Sequence, residues 1–215
     1  LGLERRVLRW DIPVPEAAAG FARAHLPDGA RYLAINACTS ARVNNWRNWS
    51  AERYAAVADH AARVHGLQPV LTGGPAPAER GMADAIAEHA RTPLIDLVGR
   101  TRPKELLAVL GRASVAIAPD TGPLHIAAAA GTPVIGLYAT SNPQRTGPYR
   151  WREWVVDRYP AALAAEHGLT PETARWGRRV RDPAAMRRIA VADVTDRLDR
   201  LLATTGADDG TTANA

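Results

Sequence analysis

The sequence of 215 residues predicts an α/β protein with a doubly wound parallel sheet, and two observations carry that prediction. From residue 31 onward, short β-branched runs alternate with longer Ala-rich runs of helical character, the mark of successive parallel α/β units. The short runs also lack polar alternation, as strands do when both faces of their sheet are covered.

Five strands are expected, at residues 32–37, 68–72, 94–98, 115–119 and 133–138. Between them Ser50 can cap a helix reaching about residue 65, with Gly66 as its stop. Pro103 suits a first helical position, and Gly131 ends the segment begun at Pro123. Residues 1–30 read as a linker with Pro13 and Pro15 feeding a helix at 16–25, and residues 31–150 as the main domain. Residues 151–203 read as an appended helical segment in which no strand is signalled, with Val194, Leu198, Leu201 and Leu202 at helical spacing. The small, polar stretch 204–215 is expected to be a disordered tail. The opening stretch, without Met, reads as a piece with something belonging before it, and no leader peptide is recognised.

Hydrophobic residues at 47% are sufficient for a core, and charged residues at 23% are ordinary for a globular chain. Twenty-seven Lys+Arg against 22 Asp+Glu give a net charge of +5, and Lys104 is the sole lysine. Arginine favours planar, bidentate anions such as phosphate and carboxylate. Cys38 as the single cysteine excludes an intrachain disulfide and any multi-cysteine metal site, which points to a reducing compartment, the cytoplasm by default. The longest apolar stretch, 126–139, is interrupted by Gly131 and Pro133 and falls short of the roughly 20 residues that a membrane helix requires.

In the usual strand order 3-2-1-4-5, ligand sits outside the carboxyl ends of strands 1 and 4, where the winding reverses. The two loops there are the most distinctive in the chain. After strand 4, Asp120-Thr-Gly-Pro-Leu-His125 closes a strand and opens a helix: Thr121 or Gly122 can cap it, Pro123 occupies its first turn, and free N–H groups form an anion site. The ring of His125 either reaches a phosphate or sugar oxygen or packs locally. A single Asp-Thr-Gly between α/β elements does not make an aspartic protease, which needs two carboxylates. After strand 1, the loop 38–49 is longer than a routine βα connection. Thr39 and Ser40 offer hydroxyls and N–H groups, Arg42 and Arg47 offer guanidinium forks for a diphosphate, and Trp46 and Trp49 read as packing anchors. Gly73 and Gly74 form either a close backbone approach or an ordinary turn. Glu79 and Thr101 lie just past strands 2 and 3, where a carboxylate can bind ribose hydroxyls. The arginines at 175, 178, 179, 181, 187 and 188 read as a solvated face, with an anionic acceptor or membrane as the other use. No Asp-x-Asp or His/Asp cluster demanding a metal is visible.

The run Asn44-Asn-Trp-Arg-Asn-Trp-Ser-Ala-Glu-Arg-Tyr54, the turn Leu71-Thr-Gly-Gly-Pro75, the block Asp120-Thr-Gly-Pro-Leu-His-Ile-Ala-Ala128 and Thr146-Gly-Pro-Tyr149 together resemble the ADP-heptose:lipopolysaccharide heptosyltransferases, glycosyltransferase family 9. The resemblance covers residues 31–150 well and the flanks loosely. It implies a GT-B architecture of two facing Rossmann-like domains, of which this chain is the carboxyl-terminal, donor-binding half. It further implies inverting transfer of heptose from ADP-heptose to the lipopolysaccharide inner core, with no cofactor, no metal and no nucleic acid. The acceptor and the general base would belong to the absent amino-terminal domain, so no catalytic residue is assigned here. Family members often carry a phosphate-binding Lys at the place of Arg47. Thr39, Ser40, Arg42, Arg47, Asp120, Thr121, Gly122 and His125 would then line the donor phosphates and sugar, with Gly73, Glu79 and Thr101 near the nucleoside. A cytoplasmic location with peripheral inner-membrane contact follows from the same resemblance. Two alternatives remain: a GT-B transferase using another nucleotide sugar, and a non-catalytic nucleotide- or nucleic-acid-binding module suggested by the basic balance and the late Arg cluster.

Overall fold

The computed structural model describes residues 7, 9–39 and 46–208. Helix α1 (Glu16–His25) leads into strand β1 (Arg31–Asn36). The chain continues through α2 (Ala51–His65), β2 (Leu67–Thr72), α3 (Pro77–His89), β3 (Ile95–Asp96), α4 (Pro103–Gly111), β4 (Val115–Pro119), α5 (Gly122–Ala129) and β5 (Val134–Tyr138). Then follow α6 (Pro143–Thr146), β6 (Val156–Asp157), α7 (Tyr159–His167) and α8 (Val191–Asp208).

All strand pairings are parallel, in the order β3-β2-β1-β4-β5-β6. The expected 3-2-1-4-5 order is present, and β6 corrects the expectation of a strandless segment after residue 150. Only two residues long, β6 leaves no apolar run to read, yet Val156 pairs with Leu137 and extends the sheet. The second correction concerns the tail: α8 continues through Thr204 to Asp208, so the helix overruns the boundary expected at 203.

The local punctuation works largely as the residue types require. Helix α2 stops at Gly66, whose φ of 65° lies in the left-handed region that glycine adopts without strain. Ser50 stands at its N-cap with extended backbone, but its hydroxyl makes no capping bond. Helix α4 starts on Pro103, and the Glu105 carboxylate accepts the Arg102 N–H at 2.7 Å, closing the first turn.

Alternation inside the apolar strands sorts side chains to the two faces of the sheet. Leu33, Ile35, Leu71, Val115, Ile117, Ile135 and Leu137 face a core shared with Tyr54, Val57 and Ala58 of α2 and Leu198, Leu201 and Leu202 of α8. Ala34, Ala116, Ala118, Val134 and Tyr138 face Leu124, Ala127 and Ala128 of α5, while Tyr32 and Val70 meet α1 and α4. Uninterrupted burial of β4 and β5 follows from this double cover.

The carboxyl-terminal segment is sewn onto the sheet domain. Trp49, 1% exposed, donates its indole N–H to the Ile189 carbonyl at 3.0 Å, and Arg53 reaches the same carbonyl at 2.6 Å. Arg158 pairs with Asp193, whose Oδ2 also accepts the Ala190 N–H at 2.9 Å at the head of α8. Burial pushes the Asp193 carboxyl up, but the Ala190 N–H and the Arg158 guanidinium outweigh it and hold the group below the usual carboxylate range.

Trp49→Phe, which deletes the buried indole donor, is expected to lower unfolding free energy by about 1–3 kcal/mol, read from urea titration. Because the Asp193 carboxyl is lowered in the folded state, its stabilisation is present above the ordinary carboxylate pKa of about 3.9 and lost as pH falls through the lowered value. Asp193→Asn should therefore be less stable by about 1 kcal/mol at neutral pH and should lose less stability than the parent on acidification below about pH 4.

Candidate functional site

The reversal of winding falls between β1 and β4, and the loops that leave β1, β4 and β5 meet outside their carboxyl ends. The β1 loop turns back on Asn48, whose Oδ1 accepts the Thr39 N–H at 3.0 Å and the Thr39 hydroxyl at 3.4 Å, while its amide donates to the Cys38 sulfur at 3.6 Å. Thr39 is 2% exposed, so its side chain braces the loop from inside. Cys38 is buried, and burial, with the Glu79 carboxylate adding to it, pushes its thiol up to about 11. It stays protonated at neutral pH.

Side chains along Arg47-Asn-Trp49 diverge. Trp49 anchors in the core, Asn48 closes the loop, and Arg47 crosses to the next strand, where its Nη1 donates to the Asp120 carbonyl at 2.8 Å. That bond ties the β1 loop to the end of β4. The Asp120 carboxylate, 7% exposed, turns the other way and accepts the Ser141 hydroxyl at 2.7 Å and the Thr146 hydroxyl at 3.3 Å. Tyr138 donates to the Thr146 carbonyl at 2.8 Å, its phenol raised well above the usual range by burial and by the nearby Asp120 charge. Backbone and side chain of Asp120 thus bind the loops after β1 and β5 to β4.

Thr121 stands at the N-cap of α5 without a side-chain capping bond, and Gly122 and Pro123 form its first two positions. The N–H groups of Gly122 and Leu124 find no acceptor among the described residues. They remain available at the positive end of the helix, beside the Arg47 guanidinium. His125 is exposed on the next position of the helix.

On the other side of β1, the Glu79 Oε2 accepts the Gly74 N–H at 2.6 Å, which folds the Gly73-Gly74 turn over the carboxylate. A Cβ on Gly74 would stand 2.8 Å from Glu79 Oε1, and one on Gly73 would stand 3.0 Å from Oε2. Both near atoms belong to the carboxylate end of the Glu79 side chain, which is packed against the glycine turn. Thr101 follows β3 at the far edge, and among the described residues no hydrogen bond joins it to the Arg47–Asp120 group. Ser40 and Arg42 lie outside the described residues.

Sequence reasoning missed Asn48, Ser141 and Thr146 as organisers of the site. The polar run 140–142 directly after β5 was the available signal: Thr140, Ser141 and Asn142 are all buried. In Thr146-Gly-Pro-Tyr149, Gly147 has a packing reason, since a Cβ there would stand 2.4 Å from the Pro143 carbonyl oxygen. The late arginines at 175, 178, 179, 181, 187 and 188 are exposed, and their loop is held by backbone, with the Val180 N–H on the Thr140 carbonyl at 3.0 Å. The fold also assembles a group unseen in sequence: His60, His65 and Asp199 converge at the seam between α2 and α8. Among the described residues, no helix is long and apolar enough to cross a membrane.

Comparison with known proteins agrees with this fold. The chain is 29% identical over 201 residues to the lipopolysaccharide core heptosyltransferase OpsX of Haemophilus influenzae, covering 94% of this chain and 57% of that protein. The fold matches a crystal structure of a family 9 glycosyl transferase from Veillonella parvula with a TM-score of 0.71 at 24% identity, over 90% of this chain and 53% of that one. It also matches the Escherichia coli ADP-heptose lipopolysaccharide heptosyltransferase II with a TM-score of 0.70 at 18% identity, over 95% and 56% of the two chains. The chain thus spans little more than half the length of these relatives. The family model of glycosyltransferase family 9 (heptosyltransferase) matches residues 1–167, and the chain belongs to that family.

Proposed function

We propose that this chain holds the nucleotide-sugar donor for an inverting transfer of heptose from ADP-heptose to the lipopolysaccharide inner core. The observation that carries the reading is the Arg47 guanidinium, fixed on the Asp120 carbonyl beside the open amino terminus of α5 at the point where the sheet reverses its winding. A diphosphate seated there accepts from Arg47 and from the Gly122 and Leu124 N–H groups. Charge developing on the departing ADP meets the same donors, which are already in place and need no reorganisation. Asp120 acts by position: its carboxylate is occupied by Ser141 and Thr146, and it holds Arg47 and α5 in register.

Thr39, Ser40, Arg42, Thr121 and His125 complete the phosphate and sugar side of the proposed site. Gly73, Glu79 and Thr101 are assigned to the nucleoside side, Glu79 being oriented for ribose hydroxyls by the Gly74 N–H. The acceptor and the base that deprotonates its hydroxyl are assigned to a facing domain of the longer enzyme, so the chain alone binds donor without turnover. The exposed Arg175, Trp176, Arg178 and Arg179 suit a peripheral contact with the anionic cytoplasmic face of the inner membrane.

Calorimetric titration should show ADP binding more tightly than UDP or GDP. Arg47→Ala should weaken ADP by about tenfold or more, with His125→Ala giving a smaller loss. Equal affinity for the three nucleotides would favour another nucleotide sugar, and oligonucleotide binding without mononucleotide binding would overturn the reading. Asp120→Asn, which weakens the acceptor for two hydroxyls, is expected to cost about 1–3 kcal/mol in urea unfolding and to weaken ADP as well.

A further inference from the structure

We propose that His60, His65 and Asp199 form a binding site for a divalent transition metal of the zinc class, which staples α8 to α2. The Nε2 atoms of His60 and His65 lie 2.7 and 2.6 Å from the same Asp199 oxygen, Oδ1, and one ligand atom from each of the three residues lies within 4.8 Å of the others. Two imidazoles and one carboxylate are a donor set that suits zinc, nickel, cobalt or copper and not magnesium or calcium. A tetrahedral ion with bonds near 2.1 Å separates its ligand atoms by roughly 3.4 Å. Small rotations of the two rings and the carboxylate open the present group to that spacing without moving backbone.

The backbone on both sides is fixed. His60 and His65 follow the buried Ala58 on α2 with the buried Ala61 between them, and His65 is the last residue before the left-handed Gly66. Asp199 sits beside the buried Leu198, with Leu201 and Leu202 on the following turn. The two histidine side chains are 19% and 18% exposed, sheltered by the seam, while Asp199 at 41% leaves an approach for the ion and for water as a fourth ligand. Arg31 lines the same depression as His65 and Asp199 and is the positive charge that the ion must tolerate. The histidines stand 139 and 134 residues from Asp199 in sequence, so the ion would close a long loop between the sheet domain and the last helix.

The test uses the full chain free of any histidine tag. Zinc titrated by calorimetry should bind one ion per chain, the melting temperature should rise with zinc and not with magnesium, and cobalt should show the visible absorption of a tetrahedral site. His65→Gln and Asp199→Asn should each weaken zinc by more than about tenfold, while His89→Gln, altering a histidine paired with Glu52 elsewhere on α3, should not. Absence of saturable zinc binding by the parent chain, or unchanged affinity in both ligand variants, overturns the proposal. Should a variant fail to fold, the stoichiometry and cobalt spectrum of the parent chain decide alone.

Discussion

The two ends of Asp120 determine how the loops at the carboxyl side of the sheet are arranged. Its carbonyl receives Arg47 from the β1 loop, and its carboxylate receives Ser141 and Thr146 from the segment after β5. A buried carboxylate needs such donors, because an unpaired charge at 7% exposure would be strongly unfavourable. Meeting that requirement draws three loops to one point and leaves the first turn of α5 open between them. The open amino terminus of α5 is thus a by-product of satisfying one buried acid.

The fold supplies the place and the loops supply the chemistry. Double cover of the sheet explains the unbroken apolar strands, and the reversal between β1 and β4 explains why the loops after β1 and β4 meet where they do. Arg47 differs from a lysine at the same place in having several N–H groups in a plane, one of which donates to the Asp120 carbonyl. A lysine ammonium could make the same bond, but it lacks the planar fork that fixes the direction of several donors at once.

Much of this architecture was legible in the residues because apolar runs and Gly or Pro punctuation are local signals. The five strands, the stop at Gly66 and the start of α5 near Thr121 rest on such signals, while the order 3-2-1-4-5 rests on the usual winding of such a fold. β3 proved shorter than its apolar run, because only Ile95 and Asp96 pair with β2. β6 was illegible because two residues carry no period. The organising roles of Ser141 and Thr146, and the convergence of His60, His65 and Asp199, depend on contacts between distant segments that no single-sequence spacing encodes. Gly147 stands out in its motif and Glu79 by its place past strand 2, and the reasons for their placement come from packing: a carbonyl against the missing Cβ of one, a glycine turn wrapped on the carboxylate of the other.

The most direct test of the central claim is a crystal structure of the chain with ADP bound. Phosphate oxygens within hydrogen-bonding distance of the Arg47 guanidinium and of the Gly122 and Leu124 N–H groups are the predicted result. ADP bound with its phosphates away from the β1–β4 crevice, and with Arg47 engaged only with Asp120, would contradict it.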